Sequence, residues 1–421
     1  MPLLALIVLV GLLMAAAAHM RRRNADAHRL PQLKEEFGPS THTEIEIYRK
    51  RLAKYPKNST EWAILGELLF SEFKIRKDPL ILKEVEACAR KSLAVLPVEN
   101  AGAQMLLAQV LDQRHSFTEA LKNARAVLQL KPNKTSALSL LVTAQIAQGD
   151  YELALESAMN YLQINPEPQA FAVFGLALSQ VGRFEQAVEA FENGLRIEKS
   201  SDDARTAAWM RSIYARTLLK RDKFDRAQIL LEEALKIVPD FPLALDLKGE
   251  YWERKRNFEK ASEFFLNAFQ QTKEMPYLLN YARSLDELGR AQEAMGLRKK
   301  AASIVLENLK NPQESTGHRL ELVEILLHDK NWKESLPLLK EELKIRHSHE
   351  VYFALSRSYF FKGDLSQARL YLNKIFTSGT DDARHFQFAK EIEQHLNEPL
   401  GRFYGSVAER LEDSSHKNMS D

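Results

Sequence analysis

The sequence predicts an all-α superhelix of stacked helical hairpins (an α-solenoid) behind one N-terminal transmembrane helix. Three observations predict it. An aromatic residue recurs three positions before an alanine, at Phe117/Ala120, Tyr151/Ala154, Phe184/Ala187, Phe224/Ala227 and Phe258/Ala261. Those alanines fall 34, 33, 40 and 34 positions apart, and a small residue at a fixed phase of such a period marks helical hairpins stacked in a row. Helix punctuation recurs in step with it. Gly149, Gly182, Gly289 and Gly363 stand where the two helices of a hairpin join, and Pro97, Pro132, Pro166 and Pro239 where one hairpin gives way to the next. Glycine supplies a left-handed helix end, and proline is tolerated at a turn but not inside a helix. Finally, Leu3 to Met20 is apolar apart from His19.

That first segment, residues 1–20, reads as a transmembrane signal-anchor. Its 18 apolar-run residues, at about 1.5 Å each, reach roughly 27 Å, enough to cross a hydrocarbon core. A cleaved signal peptide is the competing reading, because Ala15 to Ala18 offers small residues for cleavage. Against it, no basic residue precedes the run, and Arg21, Arg22 and Arg23 follow at once. Arginine is retained on the cytoplasmic side, so the body of the chain is expected in the cytoplasm, on a bacterial inner membrane rather than an organelle membrane. Residues 21–40, with Pro31, Gly38 and Pro39 among mixed charges, read as a basic stop and tether that carries no core.

The hairpins follow in order. Residues 41–58 hold a capping helix from Glu44 to Tyr55, and 59–380 hold about nine units. They lie at 59–100, 101–134, 135–167, 168–201, 208–241, 242–274, 275–310, 316–348 and 349–380. The later ones are placed by Ala294, Ser335 and Ala368, with Ala291 and Leu365 where an aromatic is expected. The first unit carries an insertion from Ile75 to Leu82 before its second helix. The long steps from Ala187 to Ala227 and from Ala294 to Ser335 call for longer helices or looser joints near 201–207 and 310–316. Phe388, Ile392 and Leu396 mark a C-terminal capping helix within 381–400, and 401–421 is a polar, mostly disordered tail.

The pattern resembles the tetratricopeptide repeat (TPR) family. Trp62, Leu65, Gly66 and Leu69 reproduce the family's first-helix phrase, and Gly175 with Leu178 and Gly249 with Trp252 repeat its second half. On second helices, Ala187 with Phe191, and Ala261 with Phe265 and Ala268, match closely. The resemblance implies that Trp62, Gly66, Ala120, Ala154, Ala187, Ala227, Ala261, Ala294 and Ala368 are structural repeat positions. It also implies a concave face, lined by first-helix residues, that binds proteins or peptide segments. In this register the face includes Gln109, Thr143, Trp209, Arg216, Glu250, Arg283, Glu324 and Arg357. Trp209, Arg216, Glu250, Arg283 and Arg357 are the candidate partner-binding residues, since tryptophan and arginine dominate binding energy at protein interfaces. The plainer reading is ordinary polar surface, with Trp209 packed at a unit joint. The carboxylate clamp that some family members use on chaperone tails needs a lysine-asparagine pair; Met105 and Gln109 stand at those positions.

Composition narrows the function. Lys and Arg total 59 against 57 acidic residues, which gives no basic excess for nucleic acid. Cys88 is the single cysteine, so neither an intrachain disulfide nor a cysteine zinc knuckle is available. No phosphate-binding loop, dinucleotide fingerprint or nucleophile elbow appears. His349-Glu350 opens like a zinc-protease helix, but Phe353 takes the second histidine's place, and His347 and His349 read as solvated loop residues. No catalytic residue, cofactor, metal or small-molecule substrate is therefore expected. The expectation is a membrane-anchored, non-enzymatic scaffold or adaptor for envelope or membrane-complex assembly. The layout is similar to bacterial single-span membrane-anchored TPR proteins such as the lipopolysaccharide assembly regulator, whose paired C-terminal Cys-x-x-Cys motifs this chain lacks. Alternatives are a chaperone-docking or import receptor on an organelle membrane, or a periplasmic or luminal assembly factor if the topology is reversed.

Overall fold

Nine antiparallel helical hairpins, with one further helix at either end, make up the computed structural model, which describes residues 30–31, 39–310 and 319–396. All regular structure among the described residues is helical. The N-terminal cap is α1 (Pro39–Lys54). Unit 1 pairs α2 (Ser59–Arg76) with α3 (Pro79–Val95), unit 2 α4 (Ala101–Gln113) with α5 (Phe117–Leu130), and unit 3 α6 (Thr135–Gln148) with α7 (Tyr151–Ile164). Unit 4 pairs α8 (Pro168–Gln180) with α9 (Phe184–Ile197), unit 5 α10 (Ala204–Leu219) with α11 (Phe224–Ile237), and unit 6 α12 (Pro242–Arg254) with α13 (Phe258–Thr272). Unit 7 pairs α14 (Met275–Glu287) with α15 (Ala291–Leu309), unit 8 α16 (Arg319–His328) with α17 (Trp332–Glu342), and unit 9 α18 (His349–Lys362) with α19 (Leu365–Ser378). The cap α20 (Ala383–Leu396) closes the array.

Local chemistry sets the helix ends. Asn58, Asn100, Asp203, Asn257 and Asp364 each accept a backbone N–H of the first turn, which satisfies a donor the helix leaves free. Pro79, Pro168 and Pro242 open helices where their missing N–H is harmless. Every hairpin turns through one left-handed residue two positions before its second helix: Lys77, His115, Gly149, Gly182, Asp222, Arg256, Gly289, Lys330 and Gly363. Only four of the nine are glycine, so the other five turns leave no glycine signal in the sequence.

That shared turn corrects the expected insertion at 75–82. Unit 1 has the ordinary turn at Lys77 and Asp78, and its extra residues lengthen α2 to 18 residues instead of forming a loop. Leu82 occupies the phase that alanine holds in later units and is buried, which is why this unit lacks the alanine mark. The long step between units 4 and 5 has a different cause: residues 198–203 form a joint before α10. Arg211 holds that joint, donating to both carboxylate oxygens of Glu198 at 2.8 and 2.7 Å and to Glu233 at 2.9 Å. The step into unit 8 begins with a 19-residue α15; residues 311–318 lie outside the described residues.

Hairpins pack through the small residues. Ala120, Ala154, Ala187, Ala227, Ala261, Ala294 and Ala368 are all 0% exposed. Ser335 sits at the same phase, and its buried hydroxyl meets that of Ser358 at 2.8 Å, so its polar atom is satisfied. Gly66, Gly175 and Gly249 work from the opposite helix. A Cβ at Gly249 would stand 2.6 Å from the Phe265 ring, and one at Gly66 2.7 Å from Leu106. Trp62 is half-buried against the unit 1 core and donates its indole N–H to the Pro56 carbonyl at 2.8 Å.

Successive first helices pack on one another, and successive second helices barely do. First helices therefore lie on the inner radius and line the concave side. The superhelix winds tightly enough for its C-terminal units to sit on the hairpin tips of its early ones. The His347 N–H donates to the Gln148 carbonyl at 2.6 Å, and the His349 N–H to the Tyr151 hydroxyl at 2.7 Å across 198 residues of sequence. The Ala383 N–H reaches the Lys220 carbonyl at 3.5 Å. This seam corrects the reading of His349 as a solvated loop residue: it is buried against the Tyr151 ring, while His347 stays exposed.

The expected segment 1–20, most of the tether and the tail 401–421 lie outside the described residues. Among the described residues, no helix is long and apolar enough to cross a membrane. Of the tether 21–40, residues 39 and 40 begin α1, and Leu30 and Pro31 correct the expectation of a coreless linker. Leu30 packs on the core of units 3 to 6, and Pro31 is buried.

Candidate partner-binding groove

The inner faces of α2, α4, α6 and α8 enclose two adjoining cavities of about 330 and 220 Å³ that share Phe70, Met105, Gln109 and Ser136. One extends to Glu67, Lys74, Lys131 and Lys134, the other to Asp112, Gln113, Leu140, Thr143 and Gln169. Together they make one cleft along units 1 to 4. The lining follows from helix geometry: Met105, Gln109 and Asp112 recur at i, i+4 and i+7 on α4, and Ser136, Leu140 and Thr143 do the same on α6.

Phe70, Met105 and Leu140 give this cleft an apolar floor, and side-chain amides and hydroxyls share its walls with Glu67, Asp112 and three lysines. Gln169 donates to the Ser139 hydroxyl at 3.0 Å. The Thr143 hydroxyl donates to the carbonyls of its own helix at Ser139 and Leu140, both at 3.2 Å. An amide presents donors and an acceptor together, which suits the alternating N–H and C=O groups of a peptide backbone. Burial pushes the Asp112 carboxyl up to about 6, against the pull of Gln113 and Lys77. Lys77, at the tip of unit 1, is itself held below the ordinary lysine value by burial, which the nearby Glu274 carboxylate partly offsets.

The later part of the concave side is charged but internally paired. Arg254 donates to Glu250 at 2.9 Å and to Asp222 at 3.0 Å. Burial alone would raise the Glu250 carboxyl, but Arg254 and Arg384 outweigh it and hold it low. Arg283 donates to Glu253 at 2.7 and 2.8 Å. Asp246 is pushed up to about 6 by burial, although Asn280 donates to it at 2.8 Å and Arg216 lies near.

The candidate residues divide accordingly. Arg216 is exposed and makes no hydrogen bond or ion pair among the described residues. Glu250 and Arg283 spend their charges on neighbours. Arg357 pairs with Glu324 at 2.9 Å and lies over the Phe353 ring. Trp209 is half-buried and packs on the core of units 3 to 6, the joint position that was its plainer reading. Gln109 and Thr143 do line the cleft, as does Met105, which the sequence placed with Gln109 at the clamp positions; Phe70 and Gln169 were missed because, as single residues, they resemble core and surface positions of any amphipathic helix.

Among the described residues, no three His, Cys, Asp or Glu side chains are placed to hold a metal ion. Cys88 is buried and its thiol is pushed up to about 12 by that burial, so it is not a nucleophile at neutral pH.

The tetratricopeptide repeat family profile matches residues 99–168, 168–201 and 349–378. No curated protein matches the chain. Among solved structures the chain is similar to the APC/C hetero-tetramer Cut9–Hcn1, with 14% identity, a TM-score of 0.46 and coverage of 73% of this chain and 55% of that one. The chain thus spans about half of that structure's chain. It is also similar to the human IFIT1 dimer with PPP-AAAA (15% identity, TM-score 0.45, 76% of this chain and 90% of that one). A third is a thermophilic TPR protein of Thermus thermophilus (19% identity, TM-score 0.39, 47% and 100%).

Proposed function

We propose that this chain, a tetratricopeptide repeat protein, is a non-enzymatic scaffold that binds partner proteins through extended segments laid along its concave face. One observation carries the reading: the cleft of units 1 to 4 combines an apolar floor with amide and hydroxyl groups along its walls. Apolar contacts with Phe70, Met105 and Leu140 would supply affinity. Gln109, Gln113 and Gln169 would take the backbone polar groups that such a segment must keep satisfied. Arg216, exposed and unpaired, is the position where an acidic side chain of the partner would gain a charge-assisted bond.

The apolar run Leu3 to Met20 with Arg21, Arg22 and Arg23 behind it supports membrane anchoring with the array in the cytoplasm, confined beside its partners. Confinement raises effective concentration without any new contact. Deleting residues 1–23 tests the anchor. The shortened chain should leave the membrane fraction, keep its helical circular dichroism signal and still bind the partner that full-length protein recovers after crosslinking. A shortened chain that stays in the membrane through a high-salt wash would refute anchoring by the first segment. Loss of partner binding by the released array would refute the groove.

A further inference from the structure

The seam between early and late units is more than a side effect of winding, because the sequence is shaped to permit it. Gly149 and Gly379 bring two stretches of backbone into direct contact. A Cβ on Gly149 would stand 2.4 Å from the His347 carbonyl carbon, and one on Gly379 2.5 Å from the Val181 oxygen. Gly289 and Gly363 occupy the same hairpin-turn position as Gly149 with a similar positive φ, and nothing lies within 4 Å of a Cβ built there. Most of the buried polar groups there have partners, although the Ser348 hydroxyl and one Asp381 carboxylate oxygen do not. His349 meets the Ser378 hydroxyl at 2.8 Å, Thr380 meets His385 at 2.9 Å, and Arg384 donates to Asp382 at 2.6 Å, with His349, Asp382 and His385 all buried. Arg346, also buried, lies over the Phe117 ring of unit 2. The seam thus runs from unit 2 to unit 5 on one side and from residue 346 to residue 385 on the other.

A superhelix sealed in this way has no lateral opening between those units. We propose that the C-terminal units clamp the groove into an axial channel, which takes its partner as an extended strand entering from an end and excludes a folded domain laid in from the side. This rests on the concave face being the binding face. The room on the inner face fits the restriction: the two adjoining cavities of units 1 to 4 hold only about 330 and 220 Å³, whereas one bare helix already measures about 10–12 Å across with its side chains.

The test needs no partner. Gln109→Cys places a reactive thiol in the channel, and Lys122→Cys places one on the exposed second helix of the same unit. Each is treated with N-ethylmaleimide and with a maleimide carried on a rigid gold nanocluster. With the seam intact, the nanocluster should be slower than the small reagent by about tenfold or more at position 109 but not at 122, because it must await opening. Gly149→Ala with Gly379→Ala should abolish that difference, and Gly289→Ala with Gly363→Ala should leave it unchanged. Should the first pair not fold, Lys220→Glu opens the seam by repulsion from Asp381 and Asp382 without changing a turn. Equal nanocluster rates at 109 with and without the seam would overturn the proposal. Partner crosslinking to the groove is a separate readout, so failure of the binding-face reading would show there and leave this ratio as it is.

Discussion

Arg211 offers the sharpest test of how the array crosses the joint between units 4 and 5. Its guanidinium is 4% exposed and its three carboxylate contacts are 2.7 to 2.9 Å long. Burial lowers its proton affinity, but Glu198 and Glu233 together outweigh that and raise it. The two acids are not equivalent. The Glu198 side chain is 7% exposed and Glu233 32%, so loss of the arginine lets Glu233 rehydrate and strands Glu198. Truncating one partner of a buried pair costs about 3–5 kcal/mol, most of it from the charge left behind. Arg211→Met should therefore cost about 3–5 kcal/mol, and Arg211→Met with Glu198→Gln about half of that, because the stranded charge has gone. Glu233→Gln alone should cost under about 1 kcal/mol, as a partly exposed pair does. Repeat arrays can unfold in parts, so hydrogen exchange resolved on α10 and α11 is the appropriate assay beside urea denaturation. A cost under about 1 kcal/mol for Arg211→Met, or no recovery in the double variant, would refute the role given to this joint.

Other outcomes follow from the packing and the seam. Gly249→Ala drives a methyl into the Phe265 ring and should cost about 1–3 kcal/mol in thermal or urea unfolding, whereas Gly296→Ala, with nothing near its Cβ, should not destabilise. Ala187→Arg, at a position 0% exposed, should lower the melting temperature of units 4 and 5; an unchanged melt would contradict the register. Burial holds His349 at about 3 and His385 at about 4, and Lys220 on the facing hairpin pushes both the same way, against Asp382. Once the seam opens they regain the ordinary value near 6.5, so the open form binds more protons. Seam stability is then complete above about pH 6.5 and is lost as pH falls toward 4. The radius of gyration by small-angle scattering should grow over that interval, and titration of either imidazole near 6.5 in the native state would contradict this.

Much of the fold could be read from the sequence because nearest-neighbour packing writes itself at a fixed period. Ala120 through Ala368 had to be small for adjacent helices to touch, and that demand repeats with each unit. Where a different residue met the same demand, the signal vanished: Leu82 in unit 1, and Lys77, His115, Asp222, Arg256 and Lys330 at left-handed turns. The seam was illegible for a different reason. It joins Tyr151 to His349 across 198 residues, and no local periodicity records a contact made once. In the groove, helical phase located Gln109 and Thr143, but preference for charged and aromatic residues favoured Trp209, Arg283 and Glu250. The structure shows Trp209 packed on the core and the other two paired with neighbours, because a charge facing a narrow groove finds a partner within the fold before any ligand arrives.

Site-specific photocrosslinking in membranes of the producing cells tests the central claim most directly. A benzophenone amino acid at Gln109 or Thr143, within the groove, is compared with one at Lys122 or Glu156, on exposed second helices. The account predicts the same discrete protein adduct from both groove positions and none from the outer pair. Adducts from the outer positions, with the groove positions silent, would contradict it.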